Sequence, residues 1–505
     1  MSPVSPVNPV NPVNSGNPAK PAKPVNHVSR FAARAAAAAL LCCAGVAAGW
    51  GTASAAVSIV IVVGDSAGEG FNDPTPAAPV GGNTGTTLGE QRLIAFTHAA
   101  NLWGSRLNSS VPIRIRAAFD PLPCSANSGV LGAAGAWDIF ADFPGAPKAN
   151  TWYPAALANK LRGADLSAPG DPHIGATFNS RLGLAADCLP GGGFYLGLDG
   201  NFGSGTDLVT VLLHEIAHGL GFQTFTDEAD GQYYAGVPSI WDHYLLDNRL
   251  GHEWVELTPA QRAASATSND GLSWNGPLVT AAVPDVLDPV SRLTVAGPAA
   301  GPAAHDYEVG DASFGPPLAN PPLAGQVMPV VDQPDGRGLA CEPLSPLNAL
   351  AVSGNVALVD RGECAFVVKA LNVQNAGAIA MMVVDNQPGP LTGLGGADPA
   401  VTIPAVRLTQ PDGNAIRARL QRRSRTQSGV TASLGVNPLR LAGADAGRRI
   451  LMYAPNPLQP GSSVSHYSTA AKPNQLMEPA ISGDLSHDVA PPRDLTLPLL
   501  KDIGW

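Results

Sequence analysis

Apolar positions along this chain fall into short segments with two different periods. Val111, Ile113 and Ile115 alternate with polar neighbours, which predicts a strand over residues 111–118 with one buried face. Residues 57–63 read as an earlier strand. Residues 193–200, where Phe194, Leu196 and Leu198 alternate, read as a later one. Leu93, Ile94, Phe96, Ala100 and Trp103 instead recur at helical spacing and mark one face of a helix over 88–107. A second helix is expected over 206–219. Thr206 or Asp207 can cap its free N–H groups, Leu208, Leu212 and Ile216 supply a packing face, and Gly219 or Gly221 can stop it.

From about residue 288 to residue 438 the pattern changes, and Gly, Pro, Ala and Val dominate. Strands at 356–359 and 378–384 flank a short helix at 365–376, a β-α-β unit that reads as a separate domain inserted into the first. The chain then ends in a short helix capped by Asp494 or Thr496, with Pro498 in its first turn. This divides the sequence into a low-complexity and export segment (1–55), the first part of the outer domain (56–287), an insertion (288–438) and the closing part of the outer domain (439–505).

Composition narrows the setting. Apolar residues make up 45% of the chain and charged ones only 14%, with 56 Gly and 48 Pro, which suits a loop-rich extracellular protein. The net charge of −10 argues against a nucleic-acid partner. The one basic cluster, Arg417, Arg419, Arg422, Arg423 and Arg425, reads as a solvated helix end. Residues 1–27 repeat Pro-Val-Asn units. Arg30 and Arg34 then precede an alanine-rich apolar run that closes on Ala53-Ser54-Ala55, the form of a cleaved signal peptide, so no stable membrane span is expected afterwards. Cys124, Cys188, Cys341 and Cys364 follow that segment. Their even number fits an oxidising compartment. Pairing Cys124 with Cys188 and Cys341 with Cys364 keeps each bridge inside one domain.

The chemistry lies in His214-Glu215-Ile216-Ala217-His218, which fits H-E-x-x-H. On a helix, residues four apart share a face, so both imidazoles can bind one metal ion. Glu215 is then placed to take a proton from water as it attacks a carbonyl. Catalytic zinc usually needs a third protein ligand. Gly221 sits where a helix-ending glycine is expected, but the position three residues on is Thr224. His243, His252, His305 and His466 remain as candidates.

Residues 465–468 (Ser-His-Tyr-Ser) and 473–481 (Pro-Asn-Gln-Leu-Met-Glu-Pro-Ala-Ile) resemble the leishmanolysin-type metzincins. In that family an insertion separates the helix glycine from the third histidine, and a methionine turn follows shortly after. The resemblance implies His466 as third ligand, Met477 as the turn methionine beneath a Zn2+ ion, and Glu215 as general base. It also implies that residues 193–200 form the edge strand along which an extended peptide substrate lies. Residues 356–366 (Val-Ala-Leu-Val-Asp-Arg-Gly-Glu-Cys-Ala-Phe), Lys369, 374–378 (Gln-Asn-Ala-Gly-Ala) and 383–386 (Val-Val-Asp-Asn) in turn resemble a protease-associated domain. The expected fold is therefore α+β: a metzincin-like zinc peptidase domain, with a twisted sheet and an active-site helix, interrupted by a β-rich α/β protease-associated domain. The implied function is a secreted zinc endopeptidase acting on protein or peptide substrates. Two alternatives are a non-catalytic adhesin on the same scaffold and a zinc hydrolase of non-peptide substrates.

Overall fold

Strand β1 (Ile59–Val63) pairs in parallel with β2 (Ile113–Asp120) through the crossover helix α1 (Leu88–Arg106). The computed structural model describes residues 56–505, so the expected export segment lies outside the described residues. Helix α1 begins in a capping box, Thr87 accepting from the Glu90 N–H while the Glu90 carboxylate accepts from the Thr87 N–H. Its buried face carries Phe96, Ala99 and Trp103, and the Trp103 indole donates to the Leu213 carbonyl at 3.0 Å.

Two further strands complete the outer sheet. β3 (Gly132–Ala136) and β4 (Ile174–Asn179) give the order β1-β2-β4-β3. The first three run parallel, and β3 lies antiparallel at the edge. Residues 193–200 do not form the expected edge strand. Only β5 (Phe194–Tyr195) is extended, and it pairs with β6 (Thr206–Asp207) in a separate two-stranded sheet. The edge of the main sheet is instead Gly-Ala-Ala-Gly-Ala, a sequence without large side chains to signal a strand.

Helix α2 (Leu208–Leu220) follows β6 directly. Asp207 is its N-cap, accepting from the Thr210 N–H, and Gly221 stops it with a φ of 124°. All thirteen of its residues are buried. A helix enclosed on every side has no solvated face on which polar residues would be free to sit.

The compact units divide after Asp288 and before Ala442, so within the described residues the outer unit comprises 56–288 and 442–505. The inserted unit, Pro289–Leu441, is built on an eight-stranded mixed sheet. Its ends are β7 (Pro289–Ala296) and β12 (Thr431–Leu441), which pair antiparallel. The last strand runs through Pro438 because that residue falls in an irregularity of the β7–β12 register, where a missing N–H is tolerated. Strands β8 (Leu323–Pro329), β9 (Val356–Asp360), β10 (Ala380–Val384) and β11 (Ala405–Leu408) form the parallel centre. Every residue of β9, β10 and β11 is buried, as expected where both sheet faces are covered. Leu358 and Met382 point into one core, and their neighbours Val359 and Met381 into the other, which also holds Ala370 and Val373 of α3 (Phe366–Asn375).

Disulfides join Cys124 to Cys188 in the outer unit and Cys341 to Cys364 in the inserted one. Buried Lys369 donates to the carbonyls of Leu339 (2.6 Å) and Gly362 (2.8 Å) beside the second bridge, a structural use of its charge. The basic cluster is less solvated than its composition suggests. Arg417 pairs with buried Asp360 at 2.6 Å, and Arg419 donates to the Ala300 carbonyl. Among the described residues no helix is long and apolar enough to cross a membrane.

Candidate metal centre

Helix α2 brings His214 and His218 onto one face, and the loop after residue 460 brings His466 to them. Their Nε2 atoms form a triangle with sides of 3.2, 3.2 and 3.3 Å. Each ring is held from behind by a main-chain carbonyl at its Nδ1. His214 donates to Leu476 O (2.8 Å), His218 to Phe222 O (2.7 Å) and His466 to Ser462 O (2.7 Å). These bonds place the ring hydrogens on Nδ1 and leave three Nε2 lone pairs converging on one point.

All three rings are buried, and burial holds each in its neutral form. It lowers the pKa of His214 to about 3 and that of His218 to about 4, and takes His466 well below the usual imidazole value; the neighbouring rings add to the shift at His214 and His466. Three uncharged acceptors facing one another without a donor are mutually repulsive, and a cation between them relieves that. Tetrahedral zinc with Zn–N bonds of ~2.0–2.1 Å requires ligand nitrogens about 3.3 Å apart. The observed triangle fits, and these are the only three His, Cys, Asp or Glu residues grouped closely enough for a metal ion among the described residues.

Glu215 sits between the two helical histidines in sequence. Its side chain is fully buried, and neither carboxylate oxygen has a hydrogen-bond partner among the described residues. Burial pushes its pKa up to about 8; the backbone N–H of Ala134 on β3 opposes this weakly without making a well-formed hydrogen bond. The carboxylate lies against β3 at Gly132, where a Cβ would come within 2.9 Å of Glu215 Cγ and Oε1.

Met477 is fully buried, and its carbonyl accepts from the Tyr467 N–H at 2.8 Å, tying the turn to the residue after His466. The other candidate histidines lie elsewhere. His243 faces Thr151, exposed His252 faces Glu256, and His305 stacks on Tyr307 in the inserted unit.

Three residues support the site in ways the sequence did not signal. Gly132 has just been described. Asp494, expected as a helix cap, accepts from the Thr496 N–H and also from the Leu476 N–H at 2.7 Å, which fixes the carbonyl that holds His214. Helix α4 (Thr496–Asp502) is preceded by Leu495, which makes no side-chain cap. Asp242 is fully buried and accepts from Thr224, Thr226 and Ser239, and the Thr224 N–H donates to Ser465 Oγ beside His466. An Asp surrounded by Thr and Ser at scattered positions leaves no spacing signal.

Residues 323–416 match the PA domain family, so the inserted unit carries a PA domain. Among curated proteins, the chain is 40% identical over 78 residues to an ER degradation-enhancing alpha-mannosidase-like protein 3 of Xenopus laevis, covering 14% of this chain and 8% of that one. It is 37% identical over 103 residues to a probable lipoprotein aminopeptidase, LpqL, of Mycobacterium tuberculosis, covering 20% of each. The chain thus spans a fifth or less of the length of these relatives. Among solved structures, a zinc aminopeptidase from Bacillus subtilis aligns at 21% identity and a TM-score of 0.21, over 32% of this chain and 36% of that one.

Proposed function

We propose that this chain is an exported zinc endopeptidase of the leishmanolysin-like metzincin type, with a PA domain inserted between its second and third metal ligands. The observation that carries the reading is the triangle of His214, His218 and His466 nitrogens with an unpartnered carboxylate, Glu215, on the same helix. The curated relatives bear unlike names, a mannosidase-like protein and an aminopeptidase, so the activity is argued from the site alone. Two disulfides support an oxidising, extracellular setting.

Zinc held by the three histidines would supply Lewis acidity, polarising a carbonyl and lowering the pKa of water to about 7. The protein does the rest. The three carbonyl-anchored rings hold their Nε2 atoms in place before any ion arrives, so little ordering is needed on binding. Strand β3 offers a free sheet edge to which an extended peptide can add by main-chain hydrogen bonds, which favour affinity over sequence preference. Glu215 then accepts a proton from the attacking water as its oxygen bonds to the carbonyl carbon. The same carboxylic acid returns that proton to the leaving amine nitrogen as the C–N bond breaks. Met477 belongs to the turn that positions His214 through Leu476.

The test is cleavage of unfolded casein, and of a quenched peptide blocked at both ends, by the purified protein beside Glu215→Ala. Cleavage of both substrates by the wild type alone is expected. Failure to cut the blocked peptide while cutting a free amino terminus would replace the endopeptidase with an aminopeptidase. Equal cutting by both proteins would remove Glu215 from the mechanism.

A further inference from the structure

A cavity of about 740 Å³ opens beside the metal centre within the outer unit. None of the three histidines nor Glu215 lines it, but three of its lining residues neighbour residues of that centre. Thr210 lies one helical turn before His214 on α2, Leu131 immediately precedes Gly132 on β3, and Asn474 begins the turn that carries Leu476 and Met477. These neighbours bring the cavity within reach of a side chain flanking a peptide bond held at the metal centre.

The cavity has two chemical zones. Leu189, Phe202, Ile481 and Leu485 give it apolar sides. The polar groups are dominated by two carboxylates, Asp207 and Asp484, and no Lys, Arg or His is among its lining residues. Asp207 is only 3% exposed. Its Oδ2 takes every bond the side chain makes, from the Thr210 N–H, the Thr210 hydroxyl and His487 Nε2 at 2.6 Å. Its Oδ1 is buried without a hydrogen-bond partner among the described residues. Asp484 accepts from Asn474 at 2.7 Å, which holds it at the cavity wall. Two carboxylates with no basic side chain among the lining residues give the cavity a negative field that favours a cation. Apolar walls ending in carboxylates match a long aliphatic stem with a cationic head.

We infer that this cavity receives a lysine or arginine side chain of the substrate, with its cationic head at Asp484 and drawn by the negative charge of Asp207 behind the wall. The inference rests on the peptidase reading for its placement in a reaction, but the cavity's preference can be measured without turnover. Two peptide pairs serve as probes, blocked at both ends: lysine against norleucine, and arginine against its uncharged isostere citrulline, each at the residues flanking the cut. Cleavage is measured on the zinc-loaded full protein, and binding on Glu215→Gln by calorimetry. The charged member should be preferred about ten-fold or more in kcat/KM and in Kd, the ratio a single charge-assisted hydrogen bond commands.

Asp207→Asn should abolish the preference. Because Asp207 also caps α2, Ser204→Lys provides a second variant. Ser204 is exposed at the cavity rim, and a lysine there supplies a competing cation without touching the helix. It should reduce the preference to less than about three-fold. Peptides cut with equal efficiency, charged or not, would overturn the inference and leave the peptidase intact. Selective binding without cleavage would uphold the cavity assignment and sink the peptidase. Absence of both binding and cleavage for all four peptides would overturn the two together.

Discussion

Gly132→Ala is the sharpest test of how Glu215 is placed. An ideal Cβ at this position comes 2.9 Å from Glu215 Cγ, 2.9 Å from Oε1 and 3.1 Å from Cδ. Carbon–carbon contacts are comfortable only at ~3.5–4.0 Å, so the carboxylate must move by at least ~0.6 Å or β3 must move by as much. Helix α2 is buried on all sides, so it cannot recoil. A displacement approaching 1 Å at a reacting group costs on the order of 100-fold in rate, equivalent to about 2.7 kcal/mol of transition-state stabilisation. The stability cost is that of mild overpacking, about 1–3 kcal/mol. The assay is kcat/KM on a quenched peptide, alongside zinc stoichiometry and thermal melting. The expected result is a fall of about 100-fold with one zinc still bound, approaching the loss expected for Glu215→Gln. Retention of more than half the activity with the fold intact would refute the claim that Gly132 keeps the space in which Glu215 works.

Other perturbations test other parts of the molecule. Chelation should lower the melting temperature, and zinc should restore it, by an amount equivalent to ~2.7 kcal/mol at a hundred times the dissociation constant; a melting curve indifferent to both would argue against the triangle as a metal site. Replacing Cys124 and Cys188 by alanine opens a loop spanning 64 positions and should cost about 4 kcal/mol in denaturant unfolding of the outer unit. In the inserted unit, burial raises the pKa of Asp385, but hydrogen bonds and charges from Arg407 and Arg361 outweigh this and leave it below the usual carboxylate value. Its stabilisation is therefore present above the unfolded pKa of ~3.9 and lost as pH falls through the lower folded value. Asp385→Asn should flatten that acid limb when unfolding of the unit is followed from pH 5 downward, and an unchanged limb would assign acid sensitivity to other groups.

What the sequence made visible follows from how far each signal reaches. The α2 helix was legible because its capping residue, apolar face and two histidines all lie within fourteen positions. His466 was legible only through its resemblance to a family pattern, since no local period connects it to residues 214 and 218. β3 was invisible: Gly-Ala-Ala-Gly-Ala has no alternation of large and small or apolar and polar groups, although its smallness is what admits Glu215. Residues 193–200 misled for the opposite reason. Their alternating Phe, Leu and Leu satisfy a strand pattern, but only Phe194 and Tyr195 pair, with Thr206 and Asp207. Asp494 was recognised as a polar residue near a helix start, but its partner at Leu476 belongs to a turn some twenty residues away.

The paired ends of the inserted unit have a consequence for the order of the chain in time and space. His218 and His466 are 248 residues apart. Pro289 and Leu441 are partners in one ladder, and on the outer side the Ala442 N–H donates to the Asp288 carbonyl at 2.9 Å. A folded insertion therefore hands the chain back where it left and takes its own length, Pro289–Leu441, out of the tether between His218 and His466. Were the insertion unfolded, closing the full loop of 248 residues would cost about 0.8 kcal/mol more than closing the roughly 95 that otherwise remain. The inserted unit thus works as an entropic clasp: its own folding lowers the cost of assembling a centre to which it contributes no ligand.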